Sequence, residues 1–350
     1  MRWFWLWLLI ATSVPVRAEE PAVLLRDRTV FGAYAPGLPY FNAGLRKLEG
    51  PAVLGQRVAI ASGFIDWDYI LGEKRDLALA TAGRTLLYSW EPHCVAGGPC
   101  ISFRDVADGK LDGYLNDVAE SMKRFPYVIY VRPWAELNAH WSPYRPGSNK
   151  VQAGSVEDFK RAWRHLVDFF RARQVHNLRF VFNPDASVEE ANVPIASIWP
   201  GQQYVDVLGI DGYNWGESKL PHGNTWQEFE VVFADMYSVL TALHPTAPVW
   251  ICEFGSKEPR KSDGTKKSPA PRDPAHSKAR WIEGFMRSTA FPRIEALVYY
   301  SAYTAGRDNQ RDFRFESSTE SLQAIRRQLK ARARAGAPNR PASAARDAPD

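Results

Sequence analysis

Apolar residues along this chain alternate between two patterns. Short runs rich in β-branched and aromatic residues occupy Thr29–Ala35, Arg57–Ser62, Thr85–Trp90, Tyr127–Val131, Leu178–Phe182, Val205–Ile210, Pro248–Cys252 and Ala296–Tyr300. Most are continuous rather than alternating, as strands covered on both faces require. Between them lie stretches with helical spacing. The clearest is Ser155–Gln174, where Phe159, Trp163, Leu166 and Phe170 share one face. Its start, Ser155-x-x-Asp158, has capping-box form, and so does Thr225-x-x-Glu228 before the next amphipathic stretch. Further helices are predicted over Leu111–Arg124, His276–Ser288 and Glu320–Ala333, with only a short, ill-defined one after Asp185. Eight strand-like runs alternating with helices predict an α/β fold, a (β/α)8 TIM barrel forming a single domain over residues 19–334. A doubly wound open sheet is the alternative, but no Gly-rich phosphate turn follows the first strand.

The two ends fall outside this pattern. Arg2, the apolar run Trp3–Ile10 and the small-residue site around Val16-Arg17-Ala18 read as a signal peptide over residues 1–18, too short to span a membrane. Export to the periplasm or medium is therefore expected. Residues 335–350 (AGAPNRPASAARDAPD) read as a disordered low-complexity tail.

Charge narrows the partners little. The leader contains Arg2 and Arg17 and no acid, so its removal takes the formal net charge from +5 to +3. The excess is local: Lys257–Arg280 carries eight Lys/Arg among Pro, Gly and Ser, and reads as an exposed loop rather than a nucleic-acid groove. Cys94 and Cys100 bracket a flexible Val-Ala-Gly-Gly-Pro turn and are expected to form a disulfide in an oxidising compartment. Cys252 sits in an apolar strand and reads as a small buried hydrophobe. No Cys/His cluster has zinc spacing, so neither metal nor cofactor is expected.

Candidate chemistry sits at the strand ends, where (β/α)8 barrels build their sites. Two glutamates, 117 residues apart, end apolar runs: Glu136 in YVIYVRPWAELN and Glu253 in PVWICEFG. A carboxylate inside an apolar strand is costly, whereas a pair at two strand lips suits glycoside cleavage, which needs a proton donor and a nucleophile or base. The fourth and seventh strands lie nearly opposite in such a barrel, so the two glutamates should face each other. A carboxyl separation of about 5–5.5 Å would specify retention of anomeric configuration. Glu136, flanked by Trp134, Ala135 and Leu137, fits the donor, whose pKa must be raised. Glu253 fits the nucleophile, with Tyr213 or Arg132 able to hold it ionised; Asp211 and Glu91 are supporting carboxylates. Trp67, Trp90, Arg132, Asn138, Trp141, Asp211, Tyr213 and Tyr299 are the candidate substrate contacts. Aromatic faces stack on pyranose C–H faces while polar groups bind hydroxyls.

Several motifs together resemble glycoside hydrolase family 26, best known for secreted endo-β-1,4-mannanases. They are Gly63-Phe64-x-Asp66-Trp67, Arg132-Pro133-x-x-Glu136-x-Asn138-x-x-Trp141, Asp206-Val207-x-Gly209-x-Asp211-x-Tyr213, Glu253-Phe254-Gly255 and Asp312–Ser318. The resemblance implies a (β/α)8 barrel, retaining chemistry, Glu136 as acid/base, Glu253 as nucleophile, Tyr213 near the nucleophile and Trp141 against sugar. It departs at two places. The family usually has histidine where this chain has Ala135, which bears on mannan preference more than on hydrolysis. It also tends to have tryptophan where this chain has Tyr299-Tyr300, a smaller platform. Such changes suit a related hexose polymer. The expected function is a retaining endo-glycosidase of a β-linked polysaccharide, acting as a monomer without nucleic-acid or membrane partners. A glycan-binding barrel without catalysis and an exopolysaccharide-processing glycosidase or transglycosidase are the alternatives.

Overall fold

The computed structural model describes residues 29–92, 101–148, 153–189, 192–216, 226–259, 273, 275–304, 311–336 and 340–345. Eight strands, β1 (Val30–Tyr34), β2 (Ile60–Asp66), β3 (Thr85–Glu91), β4 (Ile129–Pro133), β5 (Leu178–Phe182), β6 (Val207–Asn214), β7 (Val249–Ser256) and β8 (Ile294–Tyr300), close into one parallel barrel in chain order. Closure runs through β1 and β8, paired from Val30↔Ala296 to Tyr34↔Tyr300. Around them pack α1 (Ala43–Glu49), α2 (Lys74–Thr81), α3 (Phe103–Ala107), α4 (Asp112–Arg124), α5 (Val156–Ala172), α6 (Ile195–Ile198), α7 (Phe229–Leu243), α8 (Lys278–Arg287) and α9 (Thr319–Arg334). The barrel is the architecture that the pattern predicts. Among the described residues no helix is long and apolar enough to cross a membrane.

Several boundaries differ. β2, β6 and β7 run four residues beyond their apolar runs, because Asp66, Asp211, Tyr213 and Glu253 keep their backbones in the ladder. Glu253 thus lies within β7, not past its end. Ser155 and Asp158 make both halves of the expected capping box on α5. The second box does not form as read. α7 begins at Phe229 with Glu228 as its N-cap, and the Glu228 carboxylate accepts the Trp226 indole N–H at 2.6 Å; Thr225 lies outside the described residues. Helices α1 to α3 span only 5 to 8 residues each, too few for a periodic signal. Residues 340–345, assigned to the disordered tail, instead pack under the barrel. There a short helix, α10 (Ala342–Ala345), brings Ser343 Oγ to 3.4 Å from the Tyr130 hydroxyl and Ser343 N–H to 3.4 Å from Glu295 Oε2.

The barrel interior is filled in layers. Val30, Ile60, Leu87, Tyr130, Val181, Val207, Trp250 and Ala296 give one buried side chain per strand, and the Tyr130 and Trp250 rings, 4.3 Å apart, plug the centre. Two residues further along each strand the same face returns. At that level stand Gly32, Ser62, Ser89, Gly209 and Cys252, all small. They surround one large side chain, the completely buried Arg132.

Candidate active site

Arg132 governs the chemistry above the plug. Its guanidinium reaches across the barrel from β4, donating through Nη1 to Asp211 Oδ2 at 2.6 Å and through Nη2 to Glu253 Oε1. Burial disfavours its charge, but the Asp211 and Glu253 carboxylates outweigh that and hold it protonated. The space is narrow. A Cβ at Gly209 would stand 2.4 Å from Asn183 Oδ1, which itself accepts from Arg132 at 3.4 Å. Only glycine on β6 lets these groups fit.

Glu253 owes its direction to a β-bulge. Trp250 and Cys252 face the barrel interior and Ile251 faces the helices, so strict alternation would turn Glu253 outward. The β6 pairing passes from Ile210↔Ile251 to Asp211↔Glu253, leaving Cys252 as an extra residue. That insertion makes two consecutive side chains point inward, and Phe254 returns to the outer core. The Tyr213 hydroxyl donates to Glu253 Oε2 at 2.7 Å. Burial, and then the Glu253 charge, push the Tyr213 pKa up, so this donor keeps its proton.

Glu136 stands just past β4 in a strained turn. Trp134 and Glu136 have φ of 50° and 57°, the left-handed region that costs a non-glycine residue about 1–2 kcal/mol. Packing holds the turn in place. The Trp134 ring lies 5.2 Å from Trp67, 5.4 Å from Phe103 and 5.6 Å from Phe159, and Glu136 N–H donates to Asn183 O at 2.8 Å. The Trp141 indole donates to Glu136 Oε2 at 3.0 Å. Burial, and then the nearby Glu253 charge, raise the Glu136 pKa from 4.5 to about 7.

Carboxylate oxygens of Glu136, Asp211 and Glu253 all lie within 4.8 Å of one another. Burial beside like charges pushes the Glu136 and Asp211 carboxyls up, so protons are held more tightly there than on a free carboxylate. The set is close enough to ligate an ion, but the Arg132 guanidinium already occupies one oxygen each of Asp211 and Glu253. Above the cluster opens a groove of about 940 Å³, among whose lining residues are Phe64, Glu91, Ala135, Trp141, Tyr213, Trp215, Tyr300 and Phe313. That is the upper end of the usual range for small-molecule sites.

The other candidates from the sequence divide. Trp141, Asp211 and Tyr213 line the groove. Arg132 lies beneath it. Asn138 is buried, accepting from Asp185 N–H at 2.8 Å and donating to Asp185 O at 3.1 Å, so it shapes the loop after β5 rather than facing a ligand. Trp67 and Trp90 are corrected: both are buried against each other, 5.2 Å apart, among the outer aromatic core. Tyr299 is also corrected. It alternates outward between Val298 and Tyr300, stacks 4.1 Å from Phe315 and is fully buried, while Tyr300 lines the groove. Cys94 and Cys100 lie outside the described residues. Sequence reasoning missed Val188, Val231 and Asp235 and did not single out Phe64 or Phe313. Continuing the period-two count along β2 past Ser62 would have found Phe64.

A closed parallel barrel with a protonatable carboxyl opposite a clamped one at its mouth is an arrangement that (β/α)8 glycoside hydrolases use. Residues 102–245 match the model of glycosyl hydrolase family 26, the family that the sequence motifs resemble. It is 31% identical over 277 residues to endoglucanase H of Acetivibrio thermocellus, covering 78% of this chain and 27% of that protein. It is 28% identical over 210 residues to a mannan endo-1,4-beta-mannosidase of Bifidobacterium adolescentis, covering 56% and 20%. The chain thus matches 20–27% of the length of these curated relatives. The catalytic domain of a Bacillus sp. JAMB-750 GH26 endo-beta-1,4-mannanase shares the fold, with a TM-score of 0.58 at 17% identity over 88% of this chain and 90% of that one.

Proposed function

We propose that this protein is a retaining endo-glycosidase that cleaves a β-linked hexose polymer, either β-1,4-mannan or a close relative, with Glu136 as acid/base and Glu253 as nucleophile. The reading is carried by the carboxylate oxygens of both glutamates lying within 4.8 Å in unlike surroundings. Separations this short favour direct attack over an interposed water. In the first step Glu136 protonates the departing glycosidic oxygen while Glu253 attacks the anomeric carbon, breaking the C–O bond and forming a glycosyl ester. Arg132 and Tyr213 hold the attacking carboxylate in place. In the second step Glu136 takes a proton from water, whose oxygen displaces Glu253 with a second inversion. Tyr213 donates to Glu253 until the ester forms and is free to follow the developing charge.

The names of the curated relatives, an endoglucanase and a mannan endo-1,4-beta-mannosidase, support a β-1,4-linked hexose backbone. Ala135 lines the groove, and its small side chain favours a polymer other than pure mannan. The leader pattern of residues 1–18 supports action outside the cytoplasm.

The test is reducing-sugar release from mannan, glucomannan and mixed-linkage glucan. Glu136→Gln should lower kcat by about 10²–10⁴-fold on polymer, the usual share of general acid catalysis. It should lower it far less on an aryl glycoside whose leaving group needs no proton. Glu253→Gln should abolish both. Wild-type turnover by either variant on polymer would overturn the assignment.

A further inference from the structure

The basic run Lys257–Arg280 reads from the sequence as an exposed loop, but one of its lysines is shut away from solvent. Lys278 is the first residue of α8 and is 0% exposed. Nothing in α8 itself calls for a cation there. A helix N-terminus carries partial positive charge, and an ammonium is among the groups least often fully buried. Its partners lie on another segment. Nζ donates to the Arg314 carbonyl at 2.6 Å and to Ser317 Oγ at 2.9 Å. Ser317 in turn donates to Glu258 Oε1 at 2.8 Å, and Ser321 in the first turn of α9 donates to the same oxygen at 3.0 Å. Amine, hydroxyl and carboxylate thus join α8, residues 312–318 and the chain just past β7. Burial lowers the Lys278 pKa to about 8; Glu258, Asp312 and Glu316 resist the fall and Arg314 adds to it. The Arg314 guanidinium is itself held by Asp312, Nη2 to Oδ2 at 2.7 Å. At neutral pH the amine is therefore charged.

The segment so anchored carries Phe313. Its N–H donates to Ala302 O at 3.0 Å, and its ring is 3% exposed at the wall of the groove. The ring centre lies 4.8 Å from that of Tyr213, nearer than Trp215 at 5.7 Å or Tyr300 at 5.9 Å. On its other side it rests on the β7 backbone, where a Cβ at Gly255 would stand 3.0 Å from Phe313 Cδ1. Phe313 is therefore wedged between Gly255, two residues past Glu253, and the tyrosine whose hydroxyl meets Glu253. We propose that Lys278 is a positioning residue for the nucleophile: by holding the Arg314 carbonyl and Ser317, it seats Phe313 against Tyr213 and so keeps the Tyr213 hydroxyl on Glu253 Oε2. This rests on the glycosidase reading above and adds to it a support outside the barrel wall. The path has three direct contacts: amine to the backbone beside Phe313, ring to ring, and hydroxyl to carboxylate. An apolar side chain at 278 would take this donor from two buried acceptors, and residues 312–318 would settle elsewhere. A small shift of the Phe313 ring then frees the Tyr213 ring to turn its hydroxyl off Glu253.

The experiment is a double-mutant cycle between Lys278 and Tyr213 in the full-length protein, read as kcat and KM on polymer and on an activated aryl glycoside. Lys278→Met should lower kcat by about 10-fold, the scale of a slight misplacement at the reacting groups. KM should stay within about twofold, because the groove walls that meet the sugar are otherwise intact. Tyr213→Phe should lower kcat further. The double variant should match Tyr213→Phe to within about twofold, since Lys278 acts through the hydroxyl already removed. A residue that only fastened the fold would lower Tm and slow both backgrounds alike. Effects that multiply in full, or wild-type kcat in Lys278→Met, overturn this inference alone. Should Lys278→Met fail to fold, Ser317→Ala removes one of the two acceptors and reads the same cycle. Wild-type protein inactive on every β-linked hexose polymer overturns the glycosidase reading and this one with it.

Discussion

At Glu136 one carboxyl meets two opposing demands. It must carry a proton when the substrate arrives, and its surroundings supply this by burial and by the charge on Glu253, which together lift its pKa to about 7. Two outcomes follow. The value of kcat/KM should fall as pH rises through about 7, read from initial rates between pH 5 and 9, because only the protonated form is the donor. A flat profile over that interval would exclude Glu136 as the acid. The second outcome concerns stability. The folded pKa exceeds the unfolded value of about 4.5, so any advantage of this site is complete below 4.5 and is lost as pH rises through 7. At pH 8 the ionised carboxylate is therefore a liability of up to about 3 kcal/mol, reduced by its partial exposure. Glu136→Gln should raise Tm by several degrees at pH 8 and have little effect at pH 4, measured by thermal unfolding; equal shifts at both would contradict the assigned cause.

The deciding element is β7. A count of alternating positions from Trp250 sends Glu253 into the helical shell, and only the extra residue at Cys252 returns it to the mouth. Such a bulge leaves no mark in composition, so the apolar run disclosed the strand and the carboxylate but not how it is aimed. The same limit explains Tyr299 and Tyr300. Adjacent identical residues cannot be assigned to a face without a register, and the pairing Tyr34↔Tyr300 supplies it. Trp67 and Trp90 read as platforms because a buried tryptophan and a sugar-stacking one look alike in sequence. The barrel itself was legible, since eight continuous apolar runs separated by helices leave few other ways to be covered on both faces. The narrow fit between β5 and β6 is testable at Gly209. Gly209→Ala would push Asn183 away and tilt the Arg132 guanidinium, costing about 1–3 kcal/mol of stability and at least about tenfold in kcat. A variant with wild-type kcat would show that Arg132 does not need this spacing.

Across the whole molecule, stability and chemistry occupy opposite ends of the barrel. The mouth holds a strained turn and a crowded charge cluster, while the far end is closed by the Tyr130–Trp250 plug, with residues 340–345 beneath it. Ending the chain after Gly336 removes the Ser343 contacts and the Arg340 guanidinium 5.9 Å from the Tyr127 ring. It should lower Tm by about 2–4 °C, the shift expected for loss of about 1 kcal/mol in a domain of this size, without changing kcat. A loss of activity in the shortened chain would mean that the two ends communicate.

Arg132 reaching across the barrel beneath the groove also bears on how an inhibitor of this protein should be shaped. A compound descending past the carboxylates meets a cation already engaged by two of them, so added depth gives no affinity. Potency must come from length along the surface, through a flat cationic head at the cleavage point and arms that follow the groove to either side.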